Sequence, residues 1–364
     1  MNKKPSERAR VPPIEIRAAM LEDLYKVSHE QQLRMAQFGQ VKPEIAIKYS
    51  GYQFVAVGKR LLYAKEWKSF ADFLIGYVPE VFDKKWWAAE IVKPQAERNQ
   101  VCEWREAMRR YAKTQQPLPD GTYRIAHSGF SAAYLTFAYD LYVVEHNGRL
   151  DETLVGRLKN KDQFQGARHE LFAEATCLRA GFRIEREDEK DRTRKHAEFV
   201  ATHEQSGLKF SVEAKSKHRA GVLGRPGTPP PHDKISVNFG QLINSALAKN
   251  PPHALVVFID TNLPPRAAQR LYAPRIEDCR EIPSRLLMAL LDRVAREHNG
   301  NDPYAMLIFS NHPHHYASPD ELDPQRNLLA VSARNPAATV RPALHAFYTA
   351  ARLYGNIPNE IPAR

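Results

Sequence analysis

The chain has 364 residues, 43% of them hydrophobic and 26% charged, with a formal net charge of +11 and a pI near 9.4. That much apolar material supports about two domains with a sizeable core and excludes a disordered or fibrous chain. The longest apolar runs, such as Ala254–Ile259, fall far short of the roughly 20 residues that span a bilayer, while the positive charge suits a polyanionic partner such as nucleic acid.

The opening segment MNKKPSERARVPP is polar and lacks the apolar run of a secretory leader. It is expected to be a loose arm. Cys102, Cys177 and Cys279 lie far apart and form no CxxC pair, so a reducing, cytoplasmic setting is expected. Residues 14–37 suit one or two helices, and GYQFVAVGKRLLY (51–63) partly alternates as a hairpin does. From Glu66 the pattern turns helical. Trp67, Phe70, Phe73 and Leu74 recur at helical spacing, and Pro79 is expected to divide this helix from a second one carrying Val81, Phe82, Trp86, Trp87 and Ile91. Further helices are expected over about 96–114 and 130–146, the latter stopped by Asn147-Gly148. The aromatic density has two readings: a helical core, or a platform on which bases stack.

From about residue 151 the texture changes. A short helix, DETLVGRLK, leads to a second at about 167–180, with Gly181 as its C′ residue. Strand candidates follow at Phe182–Arg186, KHAEFVAT and LKFSVEAKSK. Then come a Pro/Gly/Arg-rich loop, a helix at about 238–249, the strand HALVVFID, a helix at about 284–298, the strand YAMLIFS and a final strand, NLLAVSA. The expected architecture is therefore α/β. A mainly helical domain (1–150) precedes a mixed central sheet flanked by helices (151–345), and a C-terminal tail (346–364) closes the chain.

The segment Leu208–Lys217 carries the chemistry. Alternation puts Leu208, Phe210, Val212 and Ala214 on one face and Lys209, Ser211, Glu213, Lys215 and Lys217 on the other. Glu213 and Lys215 thus project side by side from an otherwise apolar strand. Glu198 precedes Phe199 and Ala201 in the neighbouring strand. A five-residue turn over 203–207 would put Glu198 opposite Val212, facing away from Glu213. A bulge or a shifted turn is needed to bring the two carboxylates to one face, and one is expected. Glu170, on the preceding helix beside Ala173 and Cys177, is expected to be half-buried and to approach the same site, with Glu174 as the fallback. Three carboxylates and a lysine on an apolar framework suit Mg²⁺-dependent phosphodiester hydrolysis. The cation takes oxygen ligands and keeps several waters, it activates water and neutralises developing charge, and the lysine stabilises the transition state.

Helix, strand and hairpin with Glu170, Glu198 and Val212-Glu213-Ala214-Lys215 resemble the PD-(D/E)xK, or restriction-endonuclease-like, nuclease superfamily. GARHELFAEATCLRAGFRI is similar to the first helix and strand of its Holliday-junction-resolvase-like members. The resemblance covers about 165–260, roughly a quarter of the chain. It implies an αβββαβ core, a divalent metal (Mg²⁺ or Mn²⁺) and cleavage of nucleic acid, DNA in preference to RNA. It also implies Glu198 and Glu213 as metal ligands, Glu170 in support and Lys215 orienting the nucleophile. The chain departs from the family in having Glu198 where an aspartate is usual and His196 where a proline precedes it. Gln241, opening the helix after this strand, matches a position where some branches carry a site glutamine. Residues 1–150 resemble no family.

Lys217, His218, Arg219 and Arg225 are candidates for phosphate contact, or for an ordinary solvated loop. His312, His314 and His315 sit together in a Pro-containing loop, where proximity is usually incidental. Asp260 ends a strand, where turn chemistry accounts for it. Two rival readings remain: a non-catalytic member of the same fold that binds nucleic acid or protein, and an unrelated helical interaction protein. No membrane partner is expected.

Overall fold

The computed structural model describes residues 14–119, 121, 123, 129–186, 197–223, 225–228, 231, 239–264, 271–272, 275–277, 280–282, 284–312 and 327–362. His196, His314, His315 and Cys279 lie outside them. The N-terminal region begins with α1 (Ile14–Phe38), followed by β1 (Ile45–Tyr49), β2 (Tyr52–Val57) and β3 (Arg60–Ala64), which form an antiparallel sheet in that order. The expected hairpin is β2–β3, and β1 adds a strand to it.

Next come α2 (Phe70–Phe82), α3 (Lys84–Ile91), α4 (Gln100–Ala112) and α5 (Gly129–Asn147). α2 starts at a capping box in which Ser69 and Asp72 satisfy each other's backbone N–H groups. The expectation that Pro79 breaks this helix is corrected, because α2 runs through it. Proline lacks the N–H that would donate to the carbonyl four residues back. That carbonyl, on Ile75, instead accepts a 3.1 Å bond from the Tyr134 hydroxyl of α5. The tryptophans follow the core reading: Trp87 and Trp104 are buried, and Trp67 and Trp86 pack against the same core.

α6 (Glu152–Lys159) leads into α7 (Phe164–Arg179), which joins the two regions. One side of α7 (Phe164, Ala167, Leu171, Ala175, Leu178) packs with Phe137 and Leu141 of α5. The other side (Phe172, Ala173, Cys177) packs on a sheet. A helix covered on both sides buries nearly every residue, charged ones included. It ends as expected at Gly181, whose φ of +78° is the left-handed conformation that favours glycine.

That sheet has β4 (Phe182–Arg186), β5 (Phe199–His203) and β6 (Lys209–Ser216) as an antiparallel run. α8 (Gly240–Leu247) then crosses to β7 (Ala254–Asp260), parallel to β6. A small hairpin, β8 (Arg275–Glu277) with β9 (Arg280–Ile282), precedes α9 (Arg285–Glu297), β10 (Met306–Asn311), β11 (Asn327–Ser332) and α10 (Arg341–Arg352). The six strands lie in the order β11-β10-β7-β6-β5-β4, a mixed sheet with helices on both faces. α7 and α10 cover the face carrying Phe210, Val212, Val256 and Phe258. α8 and α9 cover the face carrying Leu255, Val257 and Ile259. The expected tail boundary at 345/346 is corrected, since it would cut α10. Phe347 of that helix stacks on Phe182 at 4.1 Å and meets Phe210 edge-on.

Candidate functional site

The candidate site is built on β6. Its register places Val212 beside Val256 and Glu213 beside Val257, so Glu213 projects to the α8/α9 face, between an apolar layer and the sheet. β5 sets the second carboxylate. Phe199 pairs with Val212, and the Glu198 N–H donates to the Val212 carbonyl at 3.1 Å. The pairing runs back to a turn closed by His203 N–H to Leu208 O at 2.8 Å and Gly207 N–H to His203 O at 2.8 Å.

The turn thus spans 204–207, one residue shorter than the simple case, and Gly207 closes it at φ +70°. This is the shifted turn that the sequence required. It sets Glu198 across from Glu213 on one face, with no bulge needed.

Four charged groups meet there. Lys215 Nζ lies 2.7 Å from Glu213 Oε2 and 3.9 Å from Glu198 Oε1. Lys249 Nζ lies 2.8 Å from Glu213 Oε1 and 3.6 Å from Glu198 Oε1. The Glu213 side chain is fully buried, while Glu198, Lys215 and Lys249 keep 22%, 18% and 23% exposure. Burial pushes the Glu213 carboxyl above the usual glutamate value, and the two ammonium groups only partly offset it. Burial also lowers Lys249, but the bonds and charge of Glu213, then of Glu198, outweigh that and raise it.

Lys249 escaped the sequence reading. It follows α8, three residues after the buried Ala246, which itself follows the buried Ile243 by three. A lysine continuing the apolar stripe of a helix was the available signal.

The structure places the other candidates differently. Glu170 is ion-paired with Arg157 of α6 at 2.6 Å, and Glu174 is held by both Arg186 nitrogens facing it, with Nε at 2.9 Å. The expectation that either joins Glu213 is corrected. α7 covers the opposite face of the sheet, so its carboxylates are neutralised by arginines there.

Gln241 is exposed in the first turn of α8, at the end away from Lys249. Lys217 is half-buried and extends the β6–β7 ladder through its N–H to Asp260 O at 2.9 Å. Arg219 is corrected from phosphate contact to a structural clamp. It is buried, and its guanidinium donates to the carbonyls of Asn262 (2.6 Å) and Thr261 (3.2 Å).

Arg225 is exposed and donates to His218 Nδ1 at 2.9 Å. It borders a cleft of about 470 Å³ that also holds Arg98, Arg110 and Lys161. Asp260 accepts from Ser216 Oγ and from Asn262 N–H, which is turn chemistry; burial pushes its carboxyl up to about 6. His312 is buried against Phe172 and Tyr354 as a core ring.

Among the described residues no helix is long and apolar enough to cross a membrane. Compared with known proteins, the chain matches no family model, no curated protein and no solved structure.

Proposed function

We propose that the chain is a divalent-cation-dependent nuclease that hydrolyses phosphodiester bonds of nucleic acid, DNA in preference to RNA, at the Glu198–Glu213–Lys215–Lys249 site. The observation that carries this reading is the convergence of two carboxylates and two ammonium groups on one sheet face.

The donor set fits a Mg²⁺ or Mn²⁺ ion held by Glu198 and Glu213. Magnesium is commonly bound by one or two carboxylates, completed by water and substrate phosphate. No group of three or more His, Cys, Asp or Glu side chains suited to a metal occurs among the described residues, so the site is a two-carboxylate one. The Lys249 ammonium already lies against both carboxylates, which marks the space between them as one that stabilises a cation. When bound, the ion supplies Lewis-acid polarisation of the phosphate and lowers the pKa of water.

The remaining chemistry belongs to the chain. Lys215 orients the attacking water and stabilises charge developing on the phosphate. Lys249, displaced from the carboxylates, offers its ammonium to a phosphate oxygen. The four groups sum to zero charge, so a bound divalent ion turns the site positive and suited to a phosphodiester. A separate cleft lined by Arg225, Arg110 and Lys161, with Arg98 paired to Glu103, suits further phosphates of a bound strand.

The test is incubation of the full chain with end-labelled single- and double-stranded DNA and RNA, in Mg²⁺, Mn²⁺ or EDTA. Cleavage that requires the metal is expected. The non-catalytic binding reading is favoured by one observation, that the carboxylates are already neutralised by lysines. Salt-sensitive binding without cleavage in any divalent ion would decide for it.

A further inference from the structure

The sheet β1–β3 has one face turned to the body of the protein and one turned to solvent. Ala46, Val55 and Val57 on the inner face are buried. The sheet is anchored by Arg60, both of whose guanidinium bonds to Glu145 of α5 are 2.6 Å, and Tyr77 donates to the same carboxylate.

The outer face follows from the register, in which Ile45, Ile47 and Tyr49 lie opposite Ala56, Phe54 and Tyr52, with Tyr63 beyond Phe54 and Leu61 beyond Ala56. Tyr49 is 68% exposed, Tyr63 62%, Leu61 61% and Ile45 55%. Three rings make a contiguous cluster: Tyr63 lies 5.4 Å from Phe54 and 5.8 Å from Tyr52, centroid to centroid. The Lys65 ammonium sits 4.7 Å above the Tyr52 ring. Lys84 of α3, ion-paired with Glu80, lies within electrostatic reach of Tyr63. No Asp or Glu occurs among the outward-facing residues of β1–β3, and the carboxylate of Glu80 beside them is paired with Lys84.

A sheet face this apolar, exposed and rigidly backed is a contact surface. Its chemistry selects the occupant. Aromatic rings tilted against one another, with an ammonium over one of them and no unpaired carboxylate beside them, complement a partner that is aromatic and anionic together. Bases stack on such rings while cations track the phosphates. We infer that the outer face of β1–β3 binds single-stranded nucleic acid, its bases stacking on Tyr49, Tyr52, Phe54 and Tyr63 and its backbone passing Lys65. Duplex DNA, whose bases are already stacked on each other, is excluded from this mode. The inference is independent of the cleavage reading, because it uses no residue of the β6 site.

The experiment measures fluorescence anisotropy of the full chain with labelled oligothymidylate in EDTA, so that no cleavage intervenes. A labelled abasic oligonucleotide of equal length carries the same phosphates without bases. The wild-type chain should bind oligothymidylate more tightly than the abasic strand, by about tenfold for each base stacked. Tyr49→Ser with Tyr63→Ser, both exposed positions, should remove most of that preference while circular dichroism shows the chain still folded. Lys65→Gln should weaken both probes alike. Equal affinity of the wild-type chain for the two probes would overturn the proposal. So would an unchanged base preference in the double variant, or sedimentation showing that this variant turns a wild-type dimer into a monomer, since the occupant would then be a second copy.

Discussion

Two of the places where charge is buried in this molecule are built differently. Around α7 each acidic side chain meets an arginine: Asp140 with Arg179, both 1% exposed, Glu174 with Arg186, and Glu170 with Arg157. On β6 each of the two carboxylates faces both ammonium groups, and three of the four side chains keep partial access to solvent. A closed pair is a structural device, since each charge exists to cancel the other and loss of either leaves an uncompensated ion. A shared quartet tolerates loss of one member, and its open side admits a ligand. Burial of a carboxylate thus does not by itself mark a site. The number of its partners distinguishes the two cases.

The largest effect is expected at the quartet, and it falls on rate rather than stability. Lys215→Ala should reduce single-turnover cleavage by about 10²–10⁴-fold, while near-UV circular dichroism and the unfolding midpoint stay close to wild type, because Lys249 still faces Glu213. Glu213→Ala should weaken metal binding as well, seen by calorimetric titration. Glu198→Asp should retain activity or raise it. Variants at 213 and 215 that cleave as fast as the wild type would move the active centre elsewhere.

The closed pair predicts the reverse. Arg179→Met leaves the Asp140 carboxylate buried with its principal partner gone, which should cost about 3–5 kcal/mol in urea unfolding. A loss well below that would erase the contrast drawn between the two places.

The pH dependence of stability sharpens it further. Burial, only partly offset by Arg186, pushes the Glu174 carboxyl up to about 7 from an ordinary 4.5. A carboxyl raised on folding holds a proton in the folded chain that the unfolded chain has released. Stability is therefore lost as pH rises through that window. Glu174→Gln should remove that part of the decline, on the order of 1–3 kcal/mol between pH 4.5 and 7. Asp260, raised to about 6, should keep a smaller slope in the variant. A pH profile identical to the wild type would count against the assignment.

The smallest effect concerns the turn that aligns the two carboxylates. Gly207→Ala places a side chain at φ +70°, though open space surrounds the position. The cost should be about 1–2 kcal/mol, from the backbone alone. Any accompanying loss of metal affinity would report a shifted β5–β6 register.

The amino-acid sequence by itself determined the elements that depend on local period and punctuation. The β4–β5–β6 run, the α7 stop at Gly181 and the side-by-side projection of Glu213 and Lys215 follow from alternation and turn residues a few positions apart. That Glu198 needed a shifted turn to reach Glu213 was also legible, because register is a parity condition. What the tertiary structure decided are the contacts between elements distant in sequence. Pro79 sits within a helix because Tyr134, from α5, satisfies the carbonyl that proline abandons. Glu170 and Glu174 lie on a helix buried on both sides, and only the packing of α7 shows that they face arginines rather than β6. Lys249 reaches Glu213 from just past the next helix, 36 positions along the chain, and no local pattern encodes that distance. Periodicity assigns a side chain to a face of its own element, whereas the element opposite that face is set by how the layers pack.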